Sequence, residues 1–299
     1  MWQQLAERIK SGDSKALARG VSLIENQAAG YEQLLQALPG ENSAKVIGVT
    51  GPPGAGKSTL VDTLIGLLIK DKKKAGVLCV DPSSPFSHGA LLGDRIRMGR
   101  WHNNENVFIR SLATRGNLGG LNAGIIEICE IIKAAAFDYV IIETVGVGQS
   151  EIEIAGLADI TIVVLVPESG DEIQTMKAGL MEIADIFVVN KCDRPDADVF
   201  VLGLHRLLKQ RTAKGQHQVP VIKTIALANE GIDELYAKIL EASEHAGSAE
   251  KKLSLLTEQA YLLIQKKRMT DINRQALSEI IKKEMQKADF NFYRLINKL

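Results

Sequence analysis

Apolar positions follow two different periodicities along the 299-residue chain, and the change from one to the other divides it. Near the start Trp2, Leu5 and Ile9 share a helical face, Leu17, Val21, Ile24 and Ala28 another, and Tyr31, Leu34, Leu35 and Leu38 follow at the same spacing. Pro39-Gly40 ends that pattern. From Ala44 to about Ala246, short apolar runs alternate with helical stretches: Val46 to Thr50, Gly76 to Val80, Val107 to Leu112, Tyr139 to Ile142, Ile160 to Val166, Ile186 to Val189 and Val219 to Ile222. Most of these runs are near-continuous, as strands covered on both faces of a parallel sheet must be. From Ser248 to Leu299 there is no Gly or Pro, and Leu253, Leu256, Ala260 and Leu263 recur at helical spacing, predicting two or three helices. The pattern therefore predicts a helical N-terminal extension (1–43), a doubly wound, mostly parallel α/β domain (44–246) and a helical C-terminal arm (247–299). Ligands of such sheets bind at the carboxyl ends of the strands, where the motifs below fall.

The first run leads into Gly51-Pro52-Pro53-Gly54-Ala55-Gly56-Lys57-Ser58-Thr59 and then a helical stretch from Leu60 to Ile69. This is a phosphate-binding loop, G-x-x-x-x-G-K-[ST], in the strand-to-helix setting the motif requires. The glycines let backbone N–H groups close around phosphate oxygens at a helix N-terminus. Lys57 would reach the β and γ phosphates, and the Ser58 hydroxyl would ligate Mg²⁺. A plain glycine-rich turn is the alternative, but glycine spacing, the Lys-Ser pair and the flanking elements all favour the phosphate loop.

Composition narrows the class. Hydrophobic residues make up 45% and charged residues 24%, with zero formal net charge, as in ordinary globular proteins; this argues against a general nucleic-acid or membrane-surface binder. From Glu250 to Leu299, eleven Lys/Arg stand against six Asp/Glu, which a solvated helical surface explains most simply. Met1 to Asp13 lacks a signal-type apolar core, and Asp159 interrupts the longest apolar candidate, so a cytoplasmic protein is expected. Cys79, Cys129 and Cys192 form no C-x-x-C and read as reduced thiols, and the five scattered histidines pair with no cysteine at metal-ligand spacing. Gly116 to Gly120 reads as a turn before a helix near Asn122 to Ala136.

A phosphate loop fixes neither the base nor the reaction. Asn190-Lys191-Cys192-Asp193, after the run Ile186 to Val189, supplies the base: its aspartate can accept from N1–H and the exocyclic amine of guanine, a donor pair adenine lacks. The metal and γ-phosphate side is read from Asp81, Asp94 and Glu143, three acids at strand or loop ends, some of which would act through water because Mg²⁺ needs few protein oxygens. Glu143-Thr-Val-Gly146 has the form of a γ-phosphate sensor whose glycine N–H bonds the terminal phosphate. In the Ras-type arrangement a water-orienting Gln follows that glycine; here Val147 does, with Gln149 two places on. Intrinsic hydrolysis is therefore expected to be slow and to depend on rearrangement or a partner. The loop 81–94 and the stretch 167–172 are candidates for segments that change with nucleotide state.

With the phosphate loop, Val80-Asp-Pro-Ser-Ser84, Glu143-Thr-Val-Gly-Val-Gly-Gln149 and Asn190 to Asp193, the chain resembles the bacterial GTPase family called MeaB or ArgK, whose human relative is the methylmalonic aciduria type A protein. The resemblance spans nearly the whole chain. It implies a GTP- and Mg²⁺-dependent chaperone that gates adenosylcobalamin loading and protects or reactivates methylmalonyl-CoA mutase, or a related cobalamin-dependent mutase. It also implies a homodimer assembled through the C-terminal helices. Lys57, Asp81, Asp94 and Glu143 match nucleotide and Mg²⁺ positions of the family, and 167–177 matches a third switch. Where the family usually has Ser-Ala-Leu to support guanine, this chain has Ile225-Ala226-Leu227, which loses a hydroxyl but keeps the Ala226 N–H. Two other readings stand beside this one. Family members have been described as kinases acting on periplasmic amino-acid-binding proteins, and a scaffold with a purely structural nucleotide would carry the same loop.

Overall fold

The computed structural model describes residues 1–40, 43–81, 98–114, 122, 124–144, 153–169, 178–211, 219–245, 249–269, 274–287 and 290–297. Three helices open the chain, α1 (Trp2–Lys10), α2 (Ser14–Glu25) and α3 (Tyr31–Gln36). The strands β1 (Lys45–Thr50), β2 (Ala75–Asp81), β3 (Val107–Ala113), β4 (Tyr139–Glu143), β5 (Ile160–Leu165), β6 (Ile186–Val189) and β7 (Val221–Lys223) form one sheet of order β3-β2-β4-β1-β5-β6-β7, with every adjacent pair parallel. Between them lie α4 (Lys57–Lys70), α5 (Ile125–Ala134), α6 (Ala178–Ile183) and α7 (Ala197–Arg211). After β7 come α8 (Ile232–His245), α9 (Ala249–Arg268), α10 (Arg274–Glu284) and α11 (Phe292–Ile296). From β1 the chain builds to one side through β2, β3 and β4 and then to the other through β5, β6 and β7, so the carboxyl end of β1 stands at the switch point where such sheets bind ligands.

Alternation along each strand explains the continuous apolar runs. Ile47 and Val49 of β1, Ile141 of β4 and Ile162 and Val164 of β5 pack on one face with Leu60, Leu64 and Leu68 of α4 and Leu235 and Ile239 of α8. Val46, Leu78, Val80, Val140 and Ile142 face the other way, against Ile128, Ile131 and Ile132 of α5 and Leu5, Ile9, Leu17, Val21, Ile24 and Leu34 of α1 to α3. The N-terminal helices are thus an outer layer of the same core. Gly20 of α2 makes that layer close: a Cβ there would lie 2.4 Å from Ile131 Cδ1. Arg110 of β3 ties the layer to the sheet edge through Glu25 at 2.7 Å. A third cluster joins Val163, Leu165, Phe187 and Val189 to Phe200, Leu204 and Leu208 of α7.

Elements differ from the expected boundaries where side chains cap the backbone. Asp13 caps α2 by accepting from the Lys15 and Ala16 N–H groups, and Ala28 falls beyond the Asn26 C-cap. The helix expected from Asn122 begins at Ile125, because Asn122 is buried with its amide donating to Ala113 O at 2.7 Å and its oxygen accepting from Gly124 N at 2.8 Å. Asp81, expected just past its strand, is the last residue of β2 and pairs with Ala113. The chain divides into two compact units, 1–255 and 256–299. Within the second, Tyr261, Ile264, Met285 and Tyr293 are exposed. No helix among the described residues is long and apolar enough to cross a membrane.

At the amino end of the sheet one device recurs. Asp138, Asp159 and Asp185 each stand one residue before a strand, and each accepts at 2.8 Å from a backbone N–H at the start of the neighbouring strand: Lys74, Val46 and Thr161 respectively. Each carboxylate fixes the register of two strands where their ladders begin. Asp159→Ala is expected to lower stability by about 1–2 kcal/mol, because the Val46 N–H loses its acceptor, whereas Asp159→Asn retains an acceptor and most of the stability. Thermal melts of the two variants check this, and equal melting temperatures for Asp159→Ala and the parent would refute it.

Candidate functional site

β1 ends at Thr50, and the next six residues turn the chain into α4. Gly51 adopts φ 137° and a Cβ there would come 2.0 Å from Val164 O, so only glycine lets the loop leave the sheet beside β5. Gly56, at φ 90°, is crowded by Asn190 Nδ2, 2.3 Å from where its Cβ would sit. The loop directs the first N–H groups of α4 outward from the sheet end, the arrangement that receives phosphate. Lys57 is buried, and its ammonium donates to Gly51 O at 2.8 Å and Pro52 O at 3.0 Å, which folds the side chain back over the loop. Ala55 and Ser58 are buried beside it, while Pro53 and Gly54 are exposed and Thr59 is half-buried.

Ser58 faces β4. Its hydroxyl donates to Glu143 Oε1 at 2.7 Å, with both residues buried. Asp81 is buried at the end of β2, the strand beside β4. Hydroxyl and carboxylate oxygens at adjoining strand ends are the hard donors that suit Mg²⁺, so Ser58, Glu143 and Asp81 fit the metal that a phosphate loop commonly carries. Asp94 and Gly146 lie outside the described residues, as do Val147 and Gln149.

The Asn190-to-Asp193 segment follows β6 and is bonded to two other loops. Asn190 Nδ2 donates to Ala55 O at 2.9 Å, and Asn190 Oδ1 accepts from Thr224 Oγ1 and Ala226 N, each at 3.1 Å. One buried amide therefore joins the phosphate loop to the turn Ala226–Ala228, which Thr63 of α4 also reaches through Ala226 O at 3.3 Å. The Ala226 N–H, expected to meet guanine, points in this structure at Asn190. Ile225 forms a two-bond bridge with Glu230 through backbone atoms alone, so loss of a hydroxyl there leaves the turn intact. Leu227 is 87% exposed and stands clear of the core. Lys191 adopts φ 60° and donates to Gly54 O at 2.7 Å, closing over the phosphate loop, and Asp193 is exposed. Cys192 turns inward, its thiol donating to Val189 O at 3.0 Å; burial raises its pKa, which makes it a packed thiol rather than a nucleophile. Burial likewise pushes the Cys129 thiol up to about 12.

A further anchor escaped the sequence reading. On the second turn of α4, Asp62 accepts from Trp101 Nε1 at 2.7 Å and pairs with Arg100, also at 2.7 Å, while the guanidinium lies 4.7 Å from the Trp101 ring centre. This pins the turn Gly99–Trp101 to the helix that begins with Lys57. An Asp on a helix carries no signal of a partner 39 positions away.

A parallel sheet with a phosphate loop at its switch point and an Asn-Lys-x-Asp segment beside it defines the class of P-loop GTPases. The chain belongs to the MeaB family: the family model described as "Methylmalonyl Co-A mutase-associated GTPase MeaB" matches residues 17–282. A provisionally named GTPase of Pyrococcus horikoshii is 44% identical over 269 residues, covering 87% of this chain and 85% of that protein. GTPase ArgK of Escherichia coli is 38% identical over 243 residues, covering 78% and 73%. Among solved structures, one described as a LAO/AO transport system kinase superposes with a TM-score of 0.75 at 28% identity, covering 95% of this chain and 88% of that one.

Asn190→Ala tests the joint. It removes the acceptor of the Ala226 N–H and the donor to Ala55 O, each loss costing about 1–3 kcal/mol. GDP affinity is expected to fall by at least tenfold together with the melting temperature, and a variant with the parent's affinity in a titration would contradict the assignment.

Proposed function

We propose that the protein is a GTP-hydrolysing chaperone of methylmalonyl-CoA mutase or a related cobalamin-dependent mutase, gating adenosylcobalamin loading and protecting or reactivating the enzyme. Membership in a family described as mutase-associated supports the partner. The observation that carries the nucleotide chemistry is the buried Ser58–Glu143 pair, 2.7 Å apart under the phosphate loop. In this reading Lys57 holds the β and γ phosphates, the loop residues 51–59 wrap them, and Asp193 with Lys191, Asn190 and the turn 225–227 selects guanine. Mg²⁺, when bound, neutralises phosphate charge; Ser58, Glu143, Asp81 and Asp94 are the residues that would hold it, directly or through water. Gly146 senses the γ-phosphate, and the stretch from Pro167 reports nucleotide state to the mutase. Glu168 in that stretch pairs with Arg194, next to the guanine-reading Asp193. In this reading the protein works in the cytoplasm.

The experiment is hydrolysis of γ-labelled GTP with and without purified mutase. Slow release of free phosphate, accelerated on the order of tenfold or more by the mutase, is the expected result. Equal rates sink the mutase as partner. The structural relative described as a transport system kinase keeps the phosphotransferase reading alive, and label appearing on an acceptor protein would favour it.

A homodimer through the unit 256–299 is part of this reading, supported by the exposure of its Tyr261, Ile264, Met285 and Tyr293. Sedimentation is expected to give twice the 32.5 kDa of the chain, falling to one chain in the double variant Tyr261→Glu/Ile264→Glu. A monomeric parent would refute the dimer.

A further inference from the structure

The end of β4 is held from both faces of the sheet, and the two holds use neighbouring residues. Strand alternation sends Ile141 and Glu143 toward the α4 side, where Ile141 packs with Leu60 and Leu64 and Glu143 receives the Ser58 hydroxyl. Val49 packs on that same side, so Thr50, next along β1, points to the opposite face. There the Thr144 hydroxyl donates to Thr50 Oγ1 at 3.0 Å, while the Thr144 N–H donates to Val49 O, also at 3.0 Å. Thr50 and Thr144 are 0% and 2% exposed. Two buried hydroxyls facing each other are a costly way to fill space, since valines would pack there without needing partners.

We propose that Thr144 is a positioning residue for GTP hydrolysis: its hydroxyl, locked to Thr50 beneath the phosphate loop, fixes the rotation of the chain at Glu143 and so the aim of that carboxylate at Ser58. The ladder pairs Glu143 with Val49 and Cys79, but past it Thr144 has its N–H bond to Val49 O and its hydroxyl bond to Thr50 to set how the chain leaves the strand. The hydroxyl bond fixes the rotation of Thr144 on the face opposite Ser58, and a change of that rotation would be passed one residue back to the Glu143 carboxylate. The inference rests on the reading of Glu143 as an acid of the metal and γ-phosphate side.

The test compares Thr144→Val, Thr144→Ser and the double variant Thr50→Val/Thr144→Val with the parent, under single-turnover conditions across a Mg²⁺ titration. Thr144→Val is expected to lower kcat about tenfold and to raise the Mg²⁺ concentration at half-maximal rate, with GDP affinity and KM for GTP within about twofold. Thr144→Ser, which keeps the hydroxyl, is expected to restore the rate to within about threefold. The double variant replaces both hydroxyls by apolar isosteres, so it is expected to melt with the parent and still hydrolyse slowly, which separates positioning from folding. A parent-like rate and Mg²⁺ response in Thr144→Val overturns the proposal, as does a Thr144→Ser variant as slow as Thr144→Val. Glu143→Gln, run alongside, tells the two levels apart. If it hydrolyses at the parent's rate, the role of the acid itself falls and the inference with it. If it is impaired while Thr144→Val is not, the inference alone falls.

Discussion

The site depends on one buried side chain, Asn190, which follows β6 and hydrogen-bonds the loops that leave β1 and β7. Its amide N–H₂ reaches the phosphate loop at Ala55 and its oxygen takes the Thr224 hydroxyl and the Ala226 N–H. Loops at the end of a parallel sheet have no ladder to hold them, and their backbone groups still need partners when buried. Asn190 supplies these from a single position on the last turn out of β6, with its own N–H anchored on Leu165 O at 2.8 Å. Gly56 is glycine because this amide occupies the place of its side chain. The phosphate half and the base half of the site are therefore one polar assembly, and a change in either is felt in the other.

Much of the fold could be read because its causes are local. Central strands buried on both faces are near-continuously apolar, and apolar runs marked all seven strands; β7 alone was displaced, observed at Val221–Lys223 rather than Val219 to Ile222. The phosphate loop was legible for the same reason, since its glycines answer to conformations and close contacts that only glycine allows. Contacts distant in sequence were not legible. The sequence marks Asn190 as part of a base-reading tetrapeptide but cannot say that its side chain grips Ala55, 135 residues earlier. Nor does it show that Asp62 holds Trp101, or that Thr144 meets Thr50, because an isolated Asp or Thr is compatible with any surface. The N-terminal helices were visible as amphipathic, yet what they cover became clear only when Ile131 was found against Gly20. One signal was there to be taken: an Asp directly ahead of a strand in Phe137-Asp138-Tyr139, Ala158-Asp159-Ile160 and Ala184-Asp185-Ile186.

That signal exposes an asymmetry which organises the acids of the whole sheet. Parallel strands present backbone N–H groups beyond their amino ends and carbonyl oxygens beyond their carboxyl ends. A carboxylate at the amino end finds its donor in the next strand, as Asp138, Asp159 and Asp185 do, and becomes structural. At the carboxyl end the neighbouring strand offers carbonyls, which cannot donate, so the same group turns to a hydroxyl, an ammonium, a helix N-terminus or a cation. Glu143 takes the Ser58 hydroxyl there, and the Lys57 ammonium satisfies the carbonyls of Gly51 and Pro52. Chemistry gathers at this end because the donors there come from side chains such as Ser58 and Lys57 and from the N-terminus of α4 rather than from a neighbouring strand. A hydroxyl pair, Thr50 with Thr144, suits the carboxyl end because a hydroxyl both donates and accepts, so each can partner the other where no further strand pairs.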